Sequence, residues 1–370
     1  MKINPSPMDI SKLNELRKNL DTIDEQIVAL LAERQMNVDA IGSVKLDTKS
    51  PTRDYEREKQ VIDNVIKVAK EKNVDSDIVK QIFTLIIKTS LEKQENQKIN
   101  TSDFGFEKSA LIIGGCGKMG QWFARFLSNQ GFRVDISDLN QDENNVDYKT
   151  VKLDYDYIIV AAPIDASGKI LKDLATLKPK GIVLDIGSIK SPLKLPLMQL
   201  SDAGCKVVSI HPMFGPDVKL LSNKHVIFIN MGDSASVEKV KQLFKPTMAE
   251  QIDMQLEDHD RLVAYILGLS HIVNIAFMLV LSESGEAAGT LSKLSSTTFD
   301  AQFAIGENVV SENPHLYFEI QKLNNYSSST LNALGDAVQR IITVISNNQE
   351  QAFVKIMQKA QLYSNSRCAP

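Results

Sequence analysis

"ALIIGGCGKMGQWFARFL", residues 110–127, joins an apolar strand, a glycine turn and the start of a helix. Gly115, Gly117 and Gly120 fit G-x-G-x-x-G, in which glycines permit a tight turn, close approach to a pyrophosphate and close helix–strand contact. Lys118 and Met119 open the helix, whose free N-terminal amides suit a phosphate. Asp138 follows at the end of the next strand, "FRVDISD", eighteen residues after Gly120. A carboxylate there accepts from a ribose 2′-hydroxyl and repels a 2′-phosphate, which points to NAD rather than NADP.

Beyond this unit, the short apolar runs "YDYIIVAAP", "GIVLDIGS", "CKVVSIHP" and "HVIFINM" alternate with helical stretches. That pattern predicts a Rossmann-type parallel sheet with crossover helices over 109–248. Ligands of such a sheet sit beyond the carboxyl ends of its strands. Ser188 and Lys190 in "VLDIGSIKSPL", and His211 in "VVSIHPMFGPD", fall at two of those ends. A histidine so placed is often structural; beside a dinucleotide site it can instead take the proton of a substrate hydroxyl while hydride leaves the same carbon, with Ser188 orienting it. Residues 249–370 read as all-helical. Their most apolar segment, "RLVAYILGLSHIVNIAFMLVLSESG", is interrupted by Arg261, Ser270, His271 and Asn274 and reads as a buried core or dimer helix.

Upstream, residues 1–98 read as three helices, and the polar, unperiodic 99–108 as a linker. In the first helix Leu13, Leu16, Leu20, Ile23, Ile27 and Leu30 recur at helical spacing as a buried seam, but the next seat holds Arg34. A guanidinium in a row of leucines costs several kcal/mol (roughly 3–5) unless an anion meets it. Lys45 lies three turns on, roughly 16 Å along the axis, and Arg17 lies about 25 Å from Arg34 on the other side. One small anion cannot reach both arginines within one chain, so Arg17 would have to arrive from another subunit. The second helix, capped by Thr52 or Asp54, places Glu58 in an apolar seat; the third, capped by Asp75 or Ser76, does the same with Ser90 and Gln94. Such intrusions can be interfacial salt bridges. Six converging in one three-helix unit favour a clamp for a small dicarboxylate that stabilises developing charge without covalent chemistry. The first helix outruns its two partners, which predicts pairing with a second copy.

The whole chain narrows the alternatives. Its 370 residues carry 42 Lys and Arg against 46 Asp and Glu, a balance that argues against a nucleic-acid partner. The N-terminal stretch lacks a signal-peptide core, and no uninterrupted apolar run is long enough for a membrane span. Cys116, Cys205 and Cys368 form neither a disulfide framework nor a ligand cluster, and the five histidines lack metal-ligand spacing. The expectation is a cytoplasmic protein with no metal, no nucleic acid and no membrane association.

"LNELRKNLDTIDEQIVALLAERQMNVDAIGSVK", "SPTRDYERE" and "IFTLIIKTSLEKQ" together resemble the all-helical, intertwined-dimer chorismate mutases. The resemblance implies that Arg17 of one subunit and Arg34 of the other bind the carboxylates of chorismate. It implies that Lys45 and Gln94 face the ether oxygen, and that Glu58, the Asp54 backbone and Ser90 meet the ring hydroxyl and remaining polar groups, with Arg57 nearby. In sequence order, "IIGGCGKMG", "DIGSIK" and "HPMFGPD" resemble the prephenate dehydrogenases. There His211 matches the catalytic histidine, Ser188 the serine near it, and His271 in "GLSHIVN" a substrate-pocket histidine on a helical dimerisation domain. The implied protein is homodimeric and multidomain: an all-α mutase domain, an α/β dinucleotide-binding domain and an all-α dimerisation domain, making prephenate and oxidising it with NAD. One departure stands out. The family's carboxylate-binding arginine is replaced by Asn308 in "IGENVVSENPHLYFEI", leaving Arg261, Lys293 and Lys322 as substitute cations. That keeps open arogenate or 4-amino-4-deoxyprephenate as substrate, or a second half that senses nucleotide or tyrosine.

Overall fold

A computed structural model describes residues 7–140 and 145–366. Cys368 lies outside them; Cys116 and Cys205 are free thiols. The chain opens with three helices, α1 (Pro7–Asp47), α2 (Tyr55–Glu71) and α3 (Ser76–Asn100). Their boundaries follow from local chemistry. Asp54 caps α2 by accepting from the Arg57 amide at 2.9 Å, and Asp75 caps α3 through the amides of Asp77 and Ile78. α3 packs against both α1 and α2. The expected buried seam is not buried within one chain: Leu13, Leu16, Leu20, Ile23, Ile27 and Leu30 are 47–65% exposed. α1 is 41 residues long, about 60 Å at ~1.5 Å per residue, and its first half is exposed along its length among the described residues.

The polar stretch after α3 is not a loose tether. Ile99 is buried in the core of the next domain, and Phe104 meets the ring of Phe132 at 6.0 Å. The next domain runs β1 (Ser109–Ile113), α4 (Lys118–Ser128), β2 (Arg133–Ser137), β3 (Tyr157–Val160), α5 (Ile164–Leu177), β4 (Ile182–Asp185), α6 (Lys194–Asp202), β5 (Lys206–Pro212), β6 (His225–Asn230), α7 (Ser234–Phe244) and β7 (Glu250–Met254). The sheet order is β2-β1-β3-β4-β5-β6-β7. β1 to β5 are parallel, as the alternation predicts; the apolar runs of β1, β3, β4 and β5 are buried on both faces, whereas β2, at the edge, is only partly buried.

Two features depart from the expected all-parallel sheet. β6 runs antiparallel to β5, because loop 213–224 returns directly with no crossover helix. β7 pairs with β6 as an edge strand, in a segment expected to be helical and beyond the boundary placed at 248. Its sequence, "EQIDM", carries charge and little apolar alternation, as exposed edges do.

The rest is helical: α8 (Leu256–Val263), α9 (Ser270–Glu283), α10 (Ala288–Lys293), α11 (Thr297–Val310), α12 (Pro314–Leu323), α13 (Ser327–Ser346) and α14 (Glu350–Asn365). A π-helical turn, Ala264–Leu269, joins α8 to α9. By length and composition alone, Leu256–Glu283 would suffice to cross a membrane, which corrects the expectation that no segment is long enough; its polar interruptions are too few to exclude it on those terms. It is not a buried core helix. Leu279 and Val280 are 53% and 67% exposed, and Ile305, Phe318, Ile342 and Met357 on neighbouring helices are exposed as well. An apolar surface of this extent is an interaction face.

Candidate active sites

The helical unit holds a cavity of about 510 Å³ between the second half of α1, the start of α2 and the middle of α3. Arg34 and Lys45 enter from α1, Asp54, Arg57 and Glu58 from the start of α2, and Ser90 and Gln94 from α3. Val38 and Leu91 close it with apolar surface. Arg34 donates to Ser90 Oγ at 2.6 Å, and Lys45 Nζ donates to the Thr52 carbonyl at 2.7 Å. Among the described residues neither cation has a carboxylate partner. Burial lowers the pKa of Arg34 from its ordinary value, the mark of a guanidinium short of compensation. Gln94 Oε1 is buried without a hydrogen-bond partner. Glu58 is already satisfied, because Arg53, a residue that the apolar spacing does not single out, holds both its oxygens at 2.8 and 3.1 Å. The cavity therefore has an excess of positive charge and an unfilled amide, which fits a small polyanion with an acceptor beside Gln94 and Lys45. Arg17 is absent from it; it lies on the exposed half of α1, too far along the helix to arrive within one chain.

The glycine turn in the second domain is built as its spacing predicts. Gly117 precedes α4 and supplies no side-chain cap, so the first amides of the helix, at Lys118 and Met119, stay available. A Cβ on Gly120 would fall 2.3 Å from the Gly114 carbonyl oxygen, and Gly115 would collide with Ile136. Gly114, which the motif omits, has φ +85° and is equally obligatory. Lys118 is exposed, whereas Met119 packs its side chain on the domain core. Asp138 directly follows β2 and accepts from the Cys116 amide at 2.9 Å, which fixes a carboxylate at the lip of the turn. These residues fit a dinucleotide: open amides and close-approach backbone for the pyrophosphate, and Asp138 for a ribose hydroxyl.

At the end of β5, His211 is buried, and its Nδ1 lies 2.8 Å from Nε2 of His259 on α8. His259 Nδ1 lies 2.7 Å from Asp260 Oδ1. Asp260 also accepts from the amides of Lys190 and Ser191 and from the Ser191 hydroxyl. Burial alone would raise the Asp260 pKa, but these donors hold it below the usual carboxylate range. Burial keeps both histidines below their ordinary value of 6.5; His211 is lowered furthest, with His259 and the Lys190 ammonium adding to the effect. The proton positions follow. The ionised Asp260 accepts from His259 Nδ1–H, so His259 Nε2 carries a lone pair and accepts from His211 Nδ1–H. His211 Nε2 is left as a bare base.

Ser188, the group the sequence offers to orient His211, makes no hydrogen bond among the described residues; the ring nitrogen of His211 meets His259 instead. The clue lay in "DHD", 258–260, where a His–Asp pair opens the last helical domain. Lys190 proves structural: fully buried, its Nζ donates to Asp185 at 2.6 Å and to the Ile210 carbonyl at 2.8 Å, locking the ends of β4 and β5 together. His271 stacks on Tyr317 at 4.2 Å between ring centres, with Nδ1 buried and unpartnered. Asn308 is exposed on α11. Of the substitute cations, Arg261 is engaged by Asp258 at 2.7 Å, Lys322 lies 5.6 Å from the Phe318 ring, and Lys293 is exposed.

Residues 16–95 match the chorismate mutase type II family, 123–253 the prephenate dehydrogenase nucleotide-binding domain, and 255–359 the prephenate dehydrogenase dimerization domain. A chorismate mutase of Methanocaldococcus jannaschii is 40% identical over 87 residues, which cover 23% of this chain and 88% of that protein. The T-protein of Enterobacter agglomerans is 24% identical over 93% of this chain and 91% of its own length. A probable arogenate/prephenate dehydrogenase of Methanocaldococcus jannaschii is 28% identical over 69% of this chain, which spans 60% of that relative. In fold, 70% of the chain superposes on 98% of the prephenate dehydrogenase from A. aeolicus, with a TM-score of 0.53 at 19% identity.

Proposed function

Because the chain belongs to the family that joins a type II chorismate mutase to prephenate dehydrogenase domains, we infer that it rearranges chorismate to prephenate and then oxidises prephenate to 4-hydroxyphenylpyruvate with NAD+, in tyrosine biosynthesis. The observation that carries this reading is the cavity in which Arg34 and Lys45 have no carboxylate partner among the described residues, in the same chain as the bare base of His211.

In the first site, Arg34 and a second chain's Arg17 bind the two carboxylates and hold the substrate in a reactive conformation. Lys45 and Gln94 face the ether oxygen, where negative charge grows as the carbon–oxygen bond breaks. Preorganised donors stabilise that charge without reorganising. Glu58, with the Asp54 backbone and Ser90, receives the ring hydroxyl and remaining polar groups, and Arg57 completes the rim.

In the second site, the turn at Gly115, Gly117 and Gly120 would hold NAD+, which when bound would supply the hydride acceptor. His211 Nε2 takes the proton of the ring C4 hydroxyl as the hydride leaves C4. The ring carboxylate departs as carbon dioxide, and its bonding pair completes the aromatic ring. The imidazolium so formed keeps its Nδ1–H on His259, backed by the charge of Asp260. Ser188 and His271 line the substrate side, His271 through its free Nδ1.

A homodimer follows from the exposed seam of α1 and the exposed apolar helices of the last domain. The two free thiols suit a cytoplasmic location. Asn308 favours one second reading, an amino-bearing substrate such as arogenate, whose side chain carries a single net negative charge less. The direct test follows NADH absorbance with purified protein, NAD+ and chorismate, prephenate or arogenate in turn. NADH from both chorismate and prephenate is expected; NADH from arogenate alone would assign the second reading.

A further inference from the structure

Loop 213–224 starts two residues after His211 and ends against the first domain. At its far end Arg53 donates through one guanidinium nitrogen to Ser222 Oγ and, at 3.1 Å, to Asn223 Oδ1. The other two nitrogens of the same guanidinium hold both oxygens of Glu58. Its face lies over the Tyr55 ring at 4.2 Å. All five donors of a guanidinium are fixed in one plane, so its grip on the loop dictates how it presents itself to Glu58. Asn223 adopts φ +60°, a left-handed conformation that asparagine tolerates, and its Oδ1 faces the arginine.

A second clamp acts beside it. Glu95 is fully buried and accepts from the amides of Leu221 at 2.8 Å and Met248 at 2.5 Å. Arg53 adjoins Asp54 and Glu95 adjoins Gln94, so each clamp sits one residue from the wall of the mutase cavity.

We propose that Arg53 is a positioning residue for the mutase reaction, and that Ser222 and Asn223 of the dehydrogenase domain complete the mutase site by fixing its guanidinium plane. The inference rests on the mutase reading above. Glu58 is aimed by an arginine that the neighbouring domain holds, so the first reaction depends on a loop belonging to the second.

The test uses the full-length chain and three variants: the double change Ser222→Ala with Asn223→Ala, Arg53→Ala, and Arg53→Lys. The loop change is expected to lower mutase kcat about three- to tenfold, and Arg53→Ala about tenfold or more, as displacement of a substrate-positioning group does. KM for chorismate, set by Arg34 and its second-chain partner, stays within about twofold. Arg53→Lys, which keeps the charge but not the fork, recovers part of the loss. Combined with Arg53→Ala, the loop change adds nothing further, since both act through one guanidinium. Dehydrogenase turnover of supplied prephenate remains that of the parent, and circular dichroism shows each variant folded. A loop variant with unchanged mutase kcat, or one in which both activities fall equally, overturns the proposal. A parent that ignores chorismate overturns the mutase reading and this inference with it; a parent that turns it over while all variants match it overturns the inference alone.

Discussion

Asp260→Asn tests the proton chain behind His211 with little change of volume. Asp260 Oδ2 lies among three donors, the amides of Lys190 and Ser191 and the Ser191 hydroxyl, whereas Oδ1 faces His259 Nδ1 and the Lys190 amide. An asparagine keeps its carbonyl oxygen where donors are densest and turns its amide toward His259. His259 Nδ1 must then accept, which moves its proton to Nε2. That proton points at His211 Nδ1, 2.8 Å away, and forces the His211 proton onto Nε2. The base is thereby blocked by its own proton, although no atom of His211 has been altered. General-base catalysis contributes about 10²–10⁴-fold, so dehydrogenase kcat should fall by about that factor. KM for prephenate and for NAD+ should change little, since neither residue is assigned a binding role. Stopped NADH formation with saturating prephenate reads the effect, and chorismate consumption by the same protein serves as the internal control. A kcat within threefold of the parent, with the fold intact by circular dichroism, would refute the tautomer argument.

Three further outcomes follow from the same geometry. Arg17→Ala and Arg34→Ala, each inactive in chorismate turnover alone, should recover about a quarter of parental activity when mixed and allowed to exchange subunits: half of the pairs are mixed and one of their two sites is whole; no recovery would place both arginines in one chain. Because burial lowers the pKa of His211 from 6.5, the base stays neutral above that value and is lost only as pH falls through the lower folded pKa. Dehydrogenase kcat/KM should therefore stay level from pH 8 to below 6.5, and an acid limb at or above 6.5 would contradict it. Asp138→Asn should narrow the preference for NAD over NADP, measured as a ratio of kcat/KM values; an unchanged ratio would remove Asp138 from the ribose.

Much of this molecule is legible in its sequence, for reasons that differ by region. The glycine turn reads directly because backbone geometry dictates it: Gly120 faces a carbonyl oxygen where no Cβ fits. Most of the mutase cavity reads from polar residues at apolar spacing, since a helix fixes which side chains share a face. The exposed seam of α1 shows the other side of that logic, because periodicity tells which face is buried but not which chain buries it. What stayed hidden depends on pairings across long sequence distances. Arg53 meets Ser222 across 169 residues and His211 meets His259 across 48, and neither pairing leaves a periodic trace. β7 escaped because a charged edge strand shows little of the alternation that marks a half-buried one.

The loop that stands in for a crossover helix between β5 and β6 has a bearing on how the two halves hold together. Ile99 at the end of α3 packs into the core that holds Trp122 and Phe126 of α4, with Phe214 of loop 213–224 against Trp122. The upstream domain thus serves as borrowed cladding. Severing the chain after residue 100 would bare apolar, ring-rich surface around Trp122 and Phe126, so in this chain the second half relies on the first to keep that patch covered.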